Sequence, residues 1–198
     1  MTADVSSSAP QPEVIPTPGQ TIGPFFHFAL PFELDRELVA RQQPHAVRLH
    51  GYVTDGEGNG IQDAMIEIRQ ADADGNVPEV TGSMRRDASA FTGWGRSSTD
   101  PTGHFWFSTL EPGPTTPGSA PFIAVTVFAR GLLNRLFTRI YLPGDDAALA
   151  ADPFLSSLEP DERERMIATR DADGSLRFDI SLQGPDETVF LTFPRHAD

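Results

Sequence analysis

The sequence predicts an all-β protein: a β-sandwich with an extended N-terminal arm and one or two short flanking helices. Three observations carry this. Glycine and proline number 17 and 18 in 198 residues, which interrupts the chain too often for a helical bundle. Short apolar or alternating runs recur between those breaks, at lengths suited to strands. Only one segment shows helix-start signals with acids ahead of bases.

Residues 1–18 are small, polar and proline-rich, with Pro10, Pro12, Pro16 and Pro18 opposing both helix and central strand. An extended arm follows from that. It leads into Gln20 to Phe28, where a Gly23-Pro24 turn precedes Phe25, Phe26 and Phe28, rings that need a surface to cover them. Asp35 to Gln42 predicts one or two helical turns before Pro44. The boundary is placed there, with an arm over 1–46 and a sandwich domain over 47–198.

Val47 to Thr54 alternates and runs into the glycine-rich loop Asp55 to Gly60. Ala64 to Ile68 reads as its hairpin partner, closed by Asp74-Gly75, and residues 76–98 read as a long surface excursion. Phe105 to Phe107 follows the turn Asp100-Pro101-Thr102-Gly103, and Phe122 to Ala129 is a near-continuous apolar run of strand length. Thr138 to Leu142, Phe178 to Leu182 and Thr188 to Phe193 complete seven or more strands, the number and spacing of a sandwich or barrel. The one helix lies over Leu158 to Ile167, with Pro160 near its first turn.

The formal net charge is −13, which repels phosphate backbones and anionic lipid and argues against nucleic-acid and membrane partners. All 15 cationic residues are arginine, so Schiff-base and P-loop lysine chemistry drops out. Cysteine is absent, removing thiol nucleophiles, cysteine-ligated metals and disulfides. No apolar run approaches the ~18 residues of a membrane span and no leader is legible, so a cytoplasmic protein is expected.

Five histidines (His27, His45, His50, His104, His196) and two tyrosines (Tyr52, Tyr141) are the candidate nitrogen and phenolate ligands. None of the histidines has the spacing of a preorganised pair. Asp72-x-Asp74-Gly75 and Asp171-x-Asp173-Gly174 resemble the start of a calcium loop, but both lack its closing glutamate and fit turns better. No G-x-S-x-G elbow marks a serine nucleophile, and Gly93-x-Gly95 lacks the third glycine of a dinucleotide site. Arg130, Arg135 and Arg139 follow the apolar run closely. They form either a local anion-attracting patch or ordinary ion pairs with the surplus carboxylates.

The ordered motifs resemble the intradiol ring-cleaving dioxygenases. Thr17 to Phe25 (TPGQTIGPF), His50 to Asp55, Ala64 to Ala71, Thr99-Asp100 with Gly103, Phe105 and Phe107, Pro112-Gly113-Pro114, and Phe128-Ala129-Arg130-Gly131 carry the likeness across roughly residues 14–193. The resemblance implies a β-sandwich and a ferric ion held by two tyrosines and a His-x-His pair. Phe122 and Ala124 stand at the histidine positions, Thr115 at one tyrosine position, and the other position, near Gly75 to Val77, has no tyrosine. Phenylalanine and alanine donate no lone pair and a threonine hydroxyl is a poor ferric ligand, so this chain is expected to hold no metal and no catalytic residue.

The pattern implies an alpha-type chain that lends residues to the pocket of an iron-bearing beta subunit, within a higher assembly of alpha–beta pairs. By motif match the lenders are Thr21, Gly23, Pro24 and Arg130. The implied reaction is intradiol cleavage of protocatechuate by O2 to 3-carboxy-cis,cis-muconate, with Fe(III) in the complex supplied by the beta subunit. Two other readings are a non-catalytic β-sandwich binding module, which explains the missing ligands, and a serine hydrolase, which requires a His–Ser contact.

Overall fold

The computed structural model describes residue 26, residues 30–79 and residues 90–193. Nine strands in those residues form two sheets. The first contains β1 (Val47–Thr54), β4 (His104–Thr109), β7 (Thr169–Arg170), β8 (Leu176–Arg177) and β9 (Ile180–Ser181), in the order β4-β1-β8-β7 with β9 also on β1. The second has the order β3-β2-β5-β6, from β3 (Trp94–Ser98), β2 (Met65–Arg69), β5 (Phe122–Phe128) and β6 (Leu136–Tyr141). The expected sandwich is found.

Alternation builds the core. β1 turns Val47, Leu49, Gly51 and Val53 inward, β4 turns in Phe105 and Phe107, and β5 turns in Ile123, Val125 and Val127. These pack with Ile66, Ile68 and Ile140 of the second sheet in one apolar cluster. Gly51 is required by a close approach. A Cβ there would lie 1.8 Å from the Phe178 carbonyl oxygen, where the chain packs against Gly51 between the parallel pairings of β8 and β9 with β1.

Several expectations need correction. β2 is not the hairpin partner of β1, because the two lie in different sheets. The loop does begin as a hairpin, with Thr54 bridged to Gly60 and Asp55 Oδ1 accepting from the N–H groups of Glu57 and Asn59. Asp63, at φ 65°, then marks where the chain departs for the second sheet. The excursion over 76–98 conceals β3, whose inward residues are Gly95 and Ser97. No apolar alternation announces it, since the space above Gly95 is filled from elsewhere: a Cβ on Gly95 would meet Leu38 Cδ1 at 2.3 Å.

Asp35 to Gln42 is not helical. Its backbone is spent on the exposed edges of both sheets: Asp35 C=O accepts from Arg96 N–H of β3, Arg36 C=O accepts from Ser108 N–H, and Leu38 N–H donates to Ser108 C=O of β4. The segment thereby closes two edges that would otherwise stay open to pairing. Thr188 to Phe193 forms no strand. Leu191 N–H donates to Phe137 C=O, and Thr188 N–H donates to Ser181 C=O, so the segment touches both sheets without joining either ladder.

The flanking helices are α1 (Asp146–Ala151), which no sequence signal had marked, and α2 (Pro160–Glu164), shorter than expected. Asp145 caps α1 by accepting from Ala148 N–H, and a Glu159–Glu162 capping box starts α2. Around them Tyr141, Leu149, Leu155 and Met166 form a second apolar cluster, with Phe122 and Phe154 packed against it. No helix among the described residues is long and apolar enough to cross a membrane.

Candidate functional site

Arg130 lies just beyond the end of β5, its side chain 43% exposed and its Nε 3.6 Å from Oδ2 of Asp63, whose side chain is 4% exposed. The buried carboxylate sets an opposite charge beside the guanidinium stem. Arg139 does not join it in one patch, whereas the β5–β6 register brings Arg135 to the same end of the sheet. Arg135 lies over the Phe137 ring at 5.2 Å, and Arg139 stands opposite Ala124 in the β5–β6 register, roughly 20 Å along the strand from Arg130. Thr21, Gly23 and Pro24 lie outside the described residues.

The positions to which the resemblance assigns metal ligands can be tested for fit. Gly113 N–H donates to Asp72 C=O at 2.7 Å, and a Cβ on Gly75, at φ 86°, would sit 2.2 Å from the Pro114 carbonyl oxygen. The two loops that would carry tyrosines are therefore packed together, with Thr115 exposed beside them. Phe122 and Ala124 occupy the outer face of the second sheet. Ala124 is flanked by Arg69 on β2 and Arg139 on β6.

The Arg139 guanidinium lies 4.3 Å from the Phe122 ring centre and 5.1 Å from that of Phe154, and donates to the Tyr141 hydroxyl at 3.1 Å. That hydroxyl donates in turn to Asp152 at 3.3 Å. Burial pushes the Tyr141 phenol up, with hydrogen bonding from Arg139 opposing it, so this tyrosine is a neutral donor, not a phenolate. A ferric ion does not fit residues that offer no lone pair at 122 and 124 and carry guanidinium groups on both flanks. Among the described residues no group of three or more His, Asp or Glu is placed to hold one metal ion. The chain purified alone and treated with Fe(III) is accordingly expected to show no tyrosinate-to-iron absorption band; a band with one iron per chain would contradict this.

The outer face of the first sheet holds a contact that the sequence did not reveal. β1 pairs His50 beside Arg177, and the β7–β8 hairpin brings Asp171 Oδ2 to 3.0 Å and Ser175 Oγ to 3.3 Å from His50 Nε2. Both partners address the same ring nitrogen, whereas a Ser-His-Asp relay needs one on each. The Ser175 hydroxyl also donates to Asp173 and, with the Ser175 N–H, holds that carboxyl below its usual range. Its proton is thus committed to Asp173, and the arrangement is a bracket for the hairpin. Asp72 likewise spends Oδ1 on the N–H groups of Asp74 and Asn76, the turn use of the Asp-x-Asp-Gly motif.

A dioxygenase family model matches residues 23–184. The chain belongs to the intradiol dioxygenase family. It is 40% identical over 191 residues to the protocatechuate 3,4-dioxygenase alpha chain of Burkholderia cepacia, covering 88% of this chain and 96% of that one. Against the beta chain of the same organism the identity is 30% over 187 residues, covering 85% and 76%. Among solved structures, the dioxygenase domain of a dioxygenase carbohydrate-binding protein fusion from Streptomyces sp. SirexAA-E matches with a TM-score of 0.54 at 25% identity, covering 86% of this chain and 99% of that one. This family membership accounts for the order of the motifs on the two sheets.

Proposed function

We propose that this chain is the alpha subunit of a protocatechuate 3,4-dioxygenase, completing the pocket in which an iron-bearing beta subunit cleaves protocatechuate with O2 to 3-carboxy-cis,cis-muconate. The observation that carries the reading is the 40% identity to an alpha chain over 88% of the sequence. The side chains at 115, 122 and 124 agree with it, since they suit a chain that leaves the metal to its partner. The ferric ion, held by the beta subunit, supplies Lewis-acid activation of the catechol. This chain supplies pocket wall and charge: Thr21, Gly23 and Pro24 line the pocket, and Arg130 faces the substrate carboxylate in a chain whose overall charge of −13 opposes an anion's approach.

Residues 1–46 form the segment that contacts the partner, and 47–198 form the sandwich. Leu38, 3% exposed in the core, anchors that segment to its own sandwich. The Phe26 ring lies 5.9 Å from that of Phe128, at the same end of β5 as Arg130. Each Phe buried in an interface contributes about 1.5–3 kcal/mol.

Co-expression with a beta chain, followed by sizing and an iron count, tests the reading. The expected result is a hetero-oligomer of alpha–beta pairs with one iron per pair, weakened by deletion of residues 1–28. A chain that stays apart from the beta subunit, as a free-standing binding module would, overturns it.

A further inference from the structure

We propose that Asp63 is the positioning residue for Arg130, so that the buried carboxylate and the guanidinium act as one unit in recognising the carboxylate-bearing substrate; this rests on the pocket role proposed for Arg130. β2 and β5 run antiparallel with Met65 opposite Phe128. Carrying that register two residues beyond the ladder sets Asp63 opposite Arg130. The alignment of β2 with β5 thus brings both residues to the same end of the sheet, just beyond the strands.

The turn that presents Asp63 is built tightly. Its φ of 65° is left-handed, a conformation aspartate adopts more readily than most residues and one that persists only where neighbours impose it. Thr99 imposes it here. The Thr99 hydroxyl accepts from Ala64 N–H at 2.9 Å and donates to Ile61 C=O at 2.8 Å, while Thr99 N–H donates to Ala64 C=O at 2.8 Å. Residues 61–64 are thus clamped from β3's end, and the Asp63 carboxylate, 4% exposed, has little room to swing.

The contact is made at Nε, 3.6 Å from Oδ2. It is an ion pair longer than a hydrogen bond; the buried opposite charge favours orientations of the stem that keep Nε beside it, and so biases the direction of the two terminal nitrogens. Those nitrogens form the fork that matches a carboxylate in planar geometry. Ordering the long side chain before substrate arrives removes part of the entropy lost on binding.

Steady-state kinetics of the assembled enzyme with protocatechuate and with catechol, for wild type, Asp63→Asn, Arg130→Ala and the double variant, test this. Asparagine tolerates the left-handed backbone and keeps the shape while removing the charge. If that variant fails to assemble, Asp63→Gly takes its place. The expected result is a loss of about 3- to 10-fold in kcat/KM for protocatechuate, expressed in KM, with kcat and the catechol reaction changed less than about 2-fold and no further loss in the Arg130→Ala background.

Equal losses on both substrates, or a loss that multiplies with that of Arg130→Ala, overturn the proposal. Should Arg130→Ala leave protocatechuate kinetics unchanged, the pocket role of Arg130 falls. Positioning is then read from a crystal structure of the Asp63→Asn assembly. A displaced or disordered Arg130 guanidinium supports it, and an unmoved one overturns it.

Discussion

Replacing Arg130 with alanine in the assembled enzyme is expected to lower kcat/KM for protocatechuate by roughly 10- to 100-fold, the kinetic equivalent of one hydrogen bond to a charged group, about 1.5–3 kcal/mol. The guanidinium lies at the end of a core strand, half in solvent and tied at its base to a buried carboxylate. With a net charge of −13 around it, it offsets a field that otherwise disfavours an aromatic carboxylate. Catechol lacks the carboxylate and provides the internal control. The iron content of the assembly should be unchanged. Equal losses for both substrates in an intact assembly would remove the recognition role, and equal losses with a weakened oligomer would make Arg130 an interface residue instead.

Phe107→Ala is expected to destabilise the fold by about 3–5 kcal/mol through lost burial and the cavity left behind. Phe107 is 0% exposed and meets Phe105 edge-on at 6.2 Å. A Cβ on Gly95 would come within 3.3 Å of its ring, so the ring lies between the two sheets near the Leu38 anchor. In a chain of this size such a loss lowers the unfolding temperature by on the order of 10 °C, measurable by calorimetry. Phe107→Leu, which keeps more of the volume, should lose about half as much or less. A Phe107→Ala chain that melts with wild type would show that the core is not centred there.

Much of this protein was legible because the signals concerned are local. Period-two alternation marks β1 over the same residues the structure assigns, and the apolar run at Phe122 marks β5 to within one residue. That positions 122 and 124 offer no metal ligand is likewise a matter of side-chain chemistry, since phenylalanine and alanine have no lone pair wherever the fold puts them. Arg130 could be singled out by its place after a core strand.

What the sequence alone could not decide is pairing, because hydrogen-bond partners in a sheet lie far apart along the chain. Whether β2 returned to β1 or crossed to the second sheet turned on the backbone at Asp63, whose neighbour Ala64 is clamped by Thr99 from 35 residues away. β3 carries glycine and serine inward, and its core space is filled by Leu38 from the segment that closes both sheet edges. The guanidinium groups beside Ala124 and the His50 bracket of the β7–β8 hairpin also arise only from cross-strand register. Alternation thus marks the core strands such as β1 and β5 and side-chain chemistry marks what they lack, whereas register, which needs the whole sheet assembled, set which charges meet.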